Sequence, residues 1–172
     1  MKILVVVDMQ LDFIDGALGT AQAQAILPRV CDKIRAFDGR VLFTRDTHEP
    51  DYLQTQEGRL LPVPHCIRGT RGWQLHPDIE ALRHEDPIDK PTFGSTDLAQ
   101  VLAALHKEQG IESVTLVGVC TDICVISNAL LLKAFLPEVP IAVDASCCAG
   151  VTPESHLRAL ECMKTCQIQV ES

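Results

Sequence analysis

Apolar positions along this chain fall into two rhythms. Short β-branched runs alternate with longer segments of helical period, the pattern of a parallel sheet wrapped by helices. The runs predict strands at residues 2–7 (KILVVV), 40–44 (RVLFT), about 86–89, 113–117 (SVTLV), 141–143 (IAV) and 168–170. Helices are predicted around residues 28–36, over 97–109, about 122–135 and over 153–164. Ser95 and Thr96 stand before the second of these, Gly110 follows it, and Thr152-Pro153-Glu154 opens the last, all ordinary start and stop signals. The expected fold is α/β: a Rossmann-like, three-layer α/β/α sandwich around a six-stranded, mostly parallel sheet. Residues 1–172 are expected to form one domain, a size that buries roughly two thirds of the unfolded surface without cross-links.

Residues 47–86 keep neither rhythm. The stretch is rich in proline and holds four of the six histidines. A connection of that length inside a compact domain is uncommon and is usually functional, so a functional loop region is expected here.

Charge narrows the partners. A formal net charge of -8 argues against nucleic acid and anionic membranes, because both need a basic face to release counterions. A small molecule or another protein remains. Met1 and Lys2 lead into only Ile3 to Val7 before Asp8 closes the apolar run, too short for a signal segment or a membrane span. The default expectation is a cytoplasmic, reducing location in which the eight cysteines are mostly thiols.

Ligands of open α/β sheets sit outside the carboxyl ends of the strands, which directs attention to the residues ending each strand. The first strand ends in Asp8, the second runs into Arg45-Asp46-Thr47-His48, the third ends at Lys90, and the fourth leads into Cys120-Thr121-Asp122-Ile123-Cys124. An acid, an acid with a histidine, a lysine and a cysteine thus reach one edge of one sheet. Cys124 falls in the first turn of the following helix, where unpaired N–H groups and the helix dipole lower a thiol pKa and can hold an oxyanion. Cys120 reads as a small apolar filler. Asp8 could take the proton of Cys124, and Lys90 could stabilise the anions formed. Asp46, His48, His65 and the intervening Glu57 make a nitrogen and oxygen donor set suited to Zn, Fe or Mn, although their spacing alone is a weak signal.

The segments VVVDMQLDF (5–13), TRDTH (44–48), HCIRGT (65–70), DKPTFGST (89–96) and VGVCTDICV (117–125), in this order, resemble the isochorismatase-like cysteine hydrolase superfamily. Within it the nicotinamidase branch is the nearest match. The resemblance implies a catalytic triad of Asp8, Lys90 and Cys124, and an oxyanion hole formed by the backbone amides of Cys120 and Cys124. It also implies a divalent metal, zinc first with iron or manganese as alternatives, on Asp46, His48 and His65, with Glu57 as the best match for a further ligand. Phe13 corresponds to a residue that packs on the substrate ring. Two departures concern the pocket: Tyr52 stands near the place of a second loop histidine, and Leu61-Pro62-Val63-Pro64 replaces an aromatic clamp. The implied activity is hydrolysis of a small carboxamide to acid and ammonia through a thioester. An N-carbamoyl or ureido amidohydrolase of the same superfamily is the first alternative, and a thiol redox or metal-sensing protein is the second. A homo-oligomer, dimer or larger, is expected by resemblance. The 147–151 stretch reads as a tight turn, and Cys162 with Cys166 as core filler.

Overall fold

The computed structural model describes residues 1–172. Six strands, β1 (Lys2–Val7), β2 (Arg40–Asp46), β3 (Ile88–Lys90), β4 (Ser113–Val119), β5 (Ile141–Ala149) and β6 (Gln169–Glu171), form one sheet in the order β3-β2-β1-β4-β5-β6. Every pairing is parallel, so the sheet is wholly rather than mostly parallel. Side chains of β1 alternate between its faces. Ile3, Val5 and Val7 enter one apolar cluster, and Leu4 and Val6 the other.

Helices cover both faces, giving the expected three layers. On one side lie α1 (Leu11–Ile14), α2 (Ala21–Ala36) and α4 (Pro77–Glu80); on the other lie α5 (Thr96–Gln109), α6 (Ile126–Phe135) and α7 (Pro153–Thr165). The remaining helix, α3 (Gln56–Leu60), follows a single 3-10 turn at Tyr52–Gln54. No helix is long and apolar enough to cross a membrane. The chain builds outward from β1 through β2 to β3, then returns to place β4 on the other side of β1. That reversal opens a crevice at the carboxyl ends of β1 and β4, where Val7 pairs with Gly118.

Several boundaries differ from the sequence expectations. Helix α2 starts seven residues before Pro28, capped by the Thr20 side chain, which accepts from the Ala23 N–H at 3.0 Å. Pro28 sits inside the helix on its exposed side, where water can take up the Gln24 carbonyl that proline cannot bond. Strand β2 runs on to Asp46, and β3 lies two residues later than expected at its start, because Pro87 lacks the donor a strand needs. Strand β5 continues through Asp144 and Ser146, which look like a strand end but bond each other locally: Ser146 Oγ donates to Asp144 Oδ1 at 2.7 Å. Cys147, Cys148 and Ala149 are therefore buried strand residues, not a turn. Cys162 and Cys166 are exposed, not core. The helix expected from about residue 122 is π-wound over Thr121–Val125 before turning α-helical at Ile126.

Residues 47–86 are tied back at defined points. His48 N–H donates to the Cys66 carbonyl at 3.0 Å and Arg68 N–H to the His48 carbonyl at 2.8 Å. This one-residue bridge between His48 and Ile67 delivers His65 to the edge of the sheet.

Candidate active site

Three backbone features aim the site residues. Asp8 adopts a left-handed φ of 50°, a costly conformation for a residue with a side chain, and it turns the carboxyl out of β1 into the crevice. Gly118 has φ 116°, and a Cβ there would fall onto the Val7 carbonyl, so only glycine lets β4 run this close to β1. A cis peptide joins Val119 to Cys120. Just beyond it, the Cys120 N–H donates to no group of the chain.

Asp8, Lys90 and Cys124 come together. Lys90 Nζ lies 2.7 Å from Asp8 Oδ2, 3.1 Å from Asp46 Oδ1 and 3.4 Å from Cys124 Sγ, and it donates to the Thr92 carbonyl at 3.2 Å. Asp46 and Lys90 are register partners across β2 and β3, which is why the extra length of β2 matters. Asp8 Oδ1 accepts from Thr44 Oγ1 at 2.6 Å. Asp8 Oδ2 is paired with the ammonium by charge but accepts no aligned hydrogen bond. It is a buried carboxylate oxygen with room for a proton.

Burial is the largest single influence on each member of this trio, and it prevails at Asp8 and Cys124. It raises the Asp8 carboxyl, with Lys90 pulling the other way. For Lys90, burial favours the neutral amine, but the charges of Asp8, Cys124 and Asp46 outweigh it and hold the ammonium well above its ordinary range. Burial, then the Asp8 charge, pushes the Cys124 thiol well up despite Lys90. The expectation of a lowered thiol is thus reversed: the start of the helix cannot offset full burial beside a carboxylate. Burial likewise pushes Cys120 up to about 12.

Asp46, His48, Glu57 and His65 form a second constellation, with ligand atoms all within 4.8 Å of one another. His48 Nε2 is 3.0 Å from Asp46 Oδ2 and 3.5 Å from Glu57 Oε1; His65 Nε2 is 3.6 and 3.8 Å from the same two atoms. A tetrahedral shell with bonds of about 2.0–2.1 Å sets neighbouring donors roughly 3.4 Å apart, so the four residues fit a divalent ion. His65 Nδ1 bonds the Val63 carbonyl at 2.8 Å, orienting the other ring nitrogen toward the cluster. Burial favours neutral Asp46, yet hydrogen bonds from His48 and His65 and the charge of Lys90 hold it far below the usual carboxylate range. Asp46 gives one oxygen to Lys90 and the other to the histidines, so it joins the two constellations.

Both open onto a cavity of about 610 Å³. Phe13, Asp46, Glu57, His65, Cys120 and Cys124 line it, together with Leu18, Leu60, Leu61, Phe93, Ile123 and Val151. The Phe13 ring centroid is 5.6 Å from that of His65. The Tyr52 ring packs tilted against His48 at 4.6 Å between centroids and edge-on against His65 at 5.1 Å, and its hydroxyl donates to the Leu61 carbonyl at 2.8 Å, so it packs the cluster instead of opening onto the cavity. Trp73 is not in the cavity wall. Its indole N–H donates to Thr47 Oγ1 at 2.9 Å, and Arg45 lies over its ring at 3.7 Å.

The chain matches the isochorismatase domain model over residues 2–172. It belongs to the isochorismatase family. It is 27% identical to a nicotinamidase/pyrazinamidase of Mycobacterium tuberculosis, over 99% of this chain and 98% of that one. Its fold matches a pyrazinamidase of Pyrococcus horikoshii in complex with zinc (29% identity, 98% and 97% of the two chains, TM-score 0.79). It also matches an N-carbamoylsarcosine amidase of Thermoplasma acidophilum (26% identity, 99% and 95%, TM-score 0.76).

Four supporting residues of this family member were not singled out from sequence. The Gln10 side chain clasps the Asp46 backbone, accepting from its N–H at 2.7 Å and donating to its carbonyl at 2.9 Å. Asp12 Oδ2 accepts from the Cys66 N–H at 2.8 Å. Thr44 holds Asp8 as described. Asn128 Nδ2 donates to the Cys124 carbonyl at 2.8 Å and to that of Phe93 at 3.1 Å, while its Oδ1 accepts from Ser95 N–H at 2.9 Å. The available signal was proximity to the motifs: Gln10 and Asp12 share the first segment with Asp8, and Asn128 lies one turn after Cys124.

Proposed function

We propose that this protein hydrolyses a small carboxamide to a carboxylic acid and ammonia, with Cys124 as nucleophile. The observation that carries the reading is the Lys90 ammonium in contact with both the Asp8 carboxylate and the Cys124 sulfur, beside a carboxylate oxygen free to accept a proton. The relatives support the reaction class, a hydrolase acting on C–N bonds other than peptide bonds.

Asp8 takes the Cys124 proton as sulfur adds to the amide carbon, so the thiolate need not exist at rest. Lys90 balances the negative charge as it moves from carboxylate to sulfur. The Cys120 N–H, which has no partner in the chain, and the Cys124 N–H receive the oxyanion, a contribution of roughly 3 kcal/mol per donor in other enzymes. The tetrahedral species expels ammonia, with the proton returned from Asp8, and leaves a thioester on Cys124. Asp8 then deprotonates water, which attacks the thioester and releases the acid and the thiol. Asp46, His48, Glu57 and His65 would hold a divalent ion, zinc by its donor set and its occurrence in the Pyrococcus relative. When bound, such an ion supplies a Lewis-acid contact for orienting the substrate.

The carbamoyl reading keeps the same chemistry and differs in the pocket. Apart from the buried Lys90 beneath it, the cavity has no lysine or arginine to receive the carboxylate of a carbamoyl amino acid, which favours a neutral amide. The thiol-sensor reading has less support, since Cys124 faces a lysine and a carboxylate instead of a second thiol. The test is ammonia release from nicotinamide, pyrazinamide and N-carbamoyl amino acids. Wild type should release ammonia from a neutral amide. Cys124→Ala should release none, and Cys120→Ala should keep most of the activity. Turnover by Cys124→Ala, or preference for carbamoyl acids, would overturn the assignment.

A further inference from the structure

The cavity floor and its mouth differ in character. Cys124, Asp46 and His65, which line the floor, are all nearly fully buried. Toward solvent the exposed lining is mainly apolar, with Leu60 79% exposed, Val151 50%, Phe93 43% and Leu61 38%, alongside the polar Gln56 and Thr92. Four of the chain's exposed large apolar residues thus converge on one opening from three separate segments: α3 with the residue after it, the β3–α5 loop and the β5–α7 loop. Single exposed apolar residues need no explanation, but a contiguous set around a reactive site marks a binding surface.

Size points the same way. A cavity of about 610 Å³ is in the range that encloses a drug-sized ligand, roughly 300–1,000 Å³, and far exceeds what a pyridine ring bearing one carboxamide can fill. The charged lining residues, Asp46, Glu57 and His65, all belong to the metal-binding constellation, so the mouth offers no ionic partner to a charged substituent, although it holds the polar side chains of Gln56 and Thr92. We infer that the substrate is a neutral carboxamide with an extended apolar group, an alkyl or arylalkyl chain that lies against Leu60, Leu61, Phe93 and Val151 while the amide reaches Cys124. This rests on the amidase reading above and names its substrate class.

The experiment measures kcat/KM for ammonia release from nicotinamide, butanamide, hexanamide and 4-phenylbutanamide, with wild type and with Leu60→Gln, Phe93→Gln and the double variant. Both side chains are exposed, so the fold tolerates the changes. In the alkyl series kcat/KM should rise about fourfold per added methylene until the cavity is filled. The best extended amide should exceed nicotinamide at least tenfold. The double variant should cut the ratio of extended to short amide about fivefold or more, mainly through KM. Ammonia release that is as good or better with nicotinamide overturns the inference and leaves the amidase reading standing. Ammonia from none of the amides overturns both. Sedimentation of the same variants supplies the last outcome: if they dissociate a wild-type assembly without changing the substrate ratio, the mouth is a contact between copies and the inference is wrong.

Discussion

Replacing Lys90 by methionine tests how the buried charges are coupled. Methionine fills the aliphatic volume but removes the ammonium that contacts Asp8, Asp46 and Cys124 at 2.7, 3.1 and 3.4 Å. Asp46 keeps its histidine partners, whereas Asp8, fully buried, keeps only Thr44. Removing one partner of a buried ion pair costs about 3–5 kcal/mol because a charge is left uncompensated. Asp8 escapes part of that cost by holding a proton, and a protonated Asp8 cannot accept one from Cys124. General-base loss of this kind lowers turnover about 10²- to 10⁴-fold. The sign with pH follows from a folded-state carboxyl pKa raised further above its unfolded value near 3.9. The variant's extra stability loss is absent below the wild-type folded-state pKa of Asp8, itself raised by burial, and grows as pH rises from there to the variant's folded-state pKa. Lys90→Met/Asp8→Asn removes both charges and should recover at least about 2 kcal/mol of the single variant's loss without recovering turnover. Denaturant unfolding at pH 4 and pH 7, with ammonia-release kinetics at pH 7, provides the measurements. A Lys90→Met protein with less than fivefold loss of turnover, or strictly additive stabilities in the cycle, would refute the coupling.

Chelator treatment followed by dialysis should lower both thermal stability and ammonia release, with recovery on adding back a divalent ion. Elemental analysis should find about one equivalent of metal per chain in wild type and at least tenfold weaker retention in His48→Ala and His65→Ala. Asn128→Ala leaves the Ser95 N–H and the Cys124 carbonyl without their partners and should cost about 2–4 kcal/mol of stability. Asn128→Asp, which keeps the acceptor for Ser95 and loses the donors, should leave kcat impaired, because the Cys124 and Phe93 carbonyls are no longer held by a common donor.

What was legible in the sequence followed from strand ends. Asp8, Asp46 and Cys120 each stand at or just beyond the end of an apolar run, and parallel strands deliver such residues to one edge, so their gathering is readable from sequence. Lys90 follows only Ile88-Asp89, and its place there rests on the resemblance of the DKPTFGST segment. The first turns of α2 are hidden in sequence because Pro28 resembles a first helical residue, and the tail of β5 is hidden because Asp144 and Ser146 satisfy each other within the strand. The protonation of Cys124 went the wrong way because a helix start is visible in sequence while burial beside Asp8 is a tertiary fact. Gln10, Thr44 and Asn128 lie near the motifs, but nothing in the sequence shows which groups they bond. Each bonds a group brought close only by the fold, and an isolated amide or hydroxyl looks the same in sequence whether it faces solvent or fixes a backbone.

The most direct measurement of the central claim is acid quench of wild type during turnover of a good amide, followed by intact and peptide mass analysis. A covalent adduct equal in mass to the acyl group should appear, map to the peptide bearing Cys124, and disappear with hydroxylamine. An adduct on another residue, or full ammonia release by Cys124→Ala, would contradict the account.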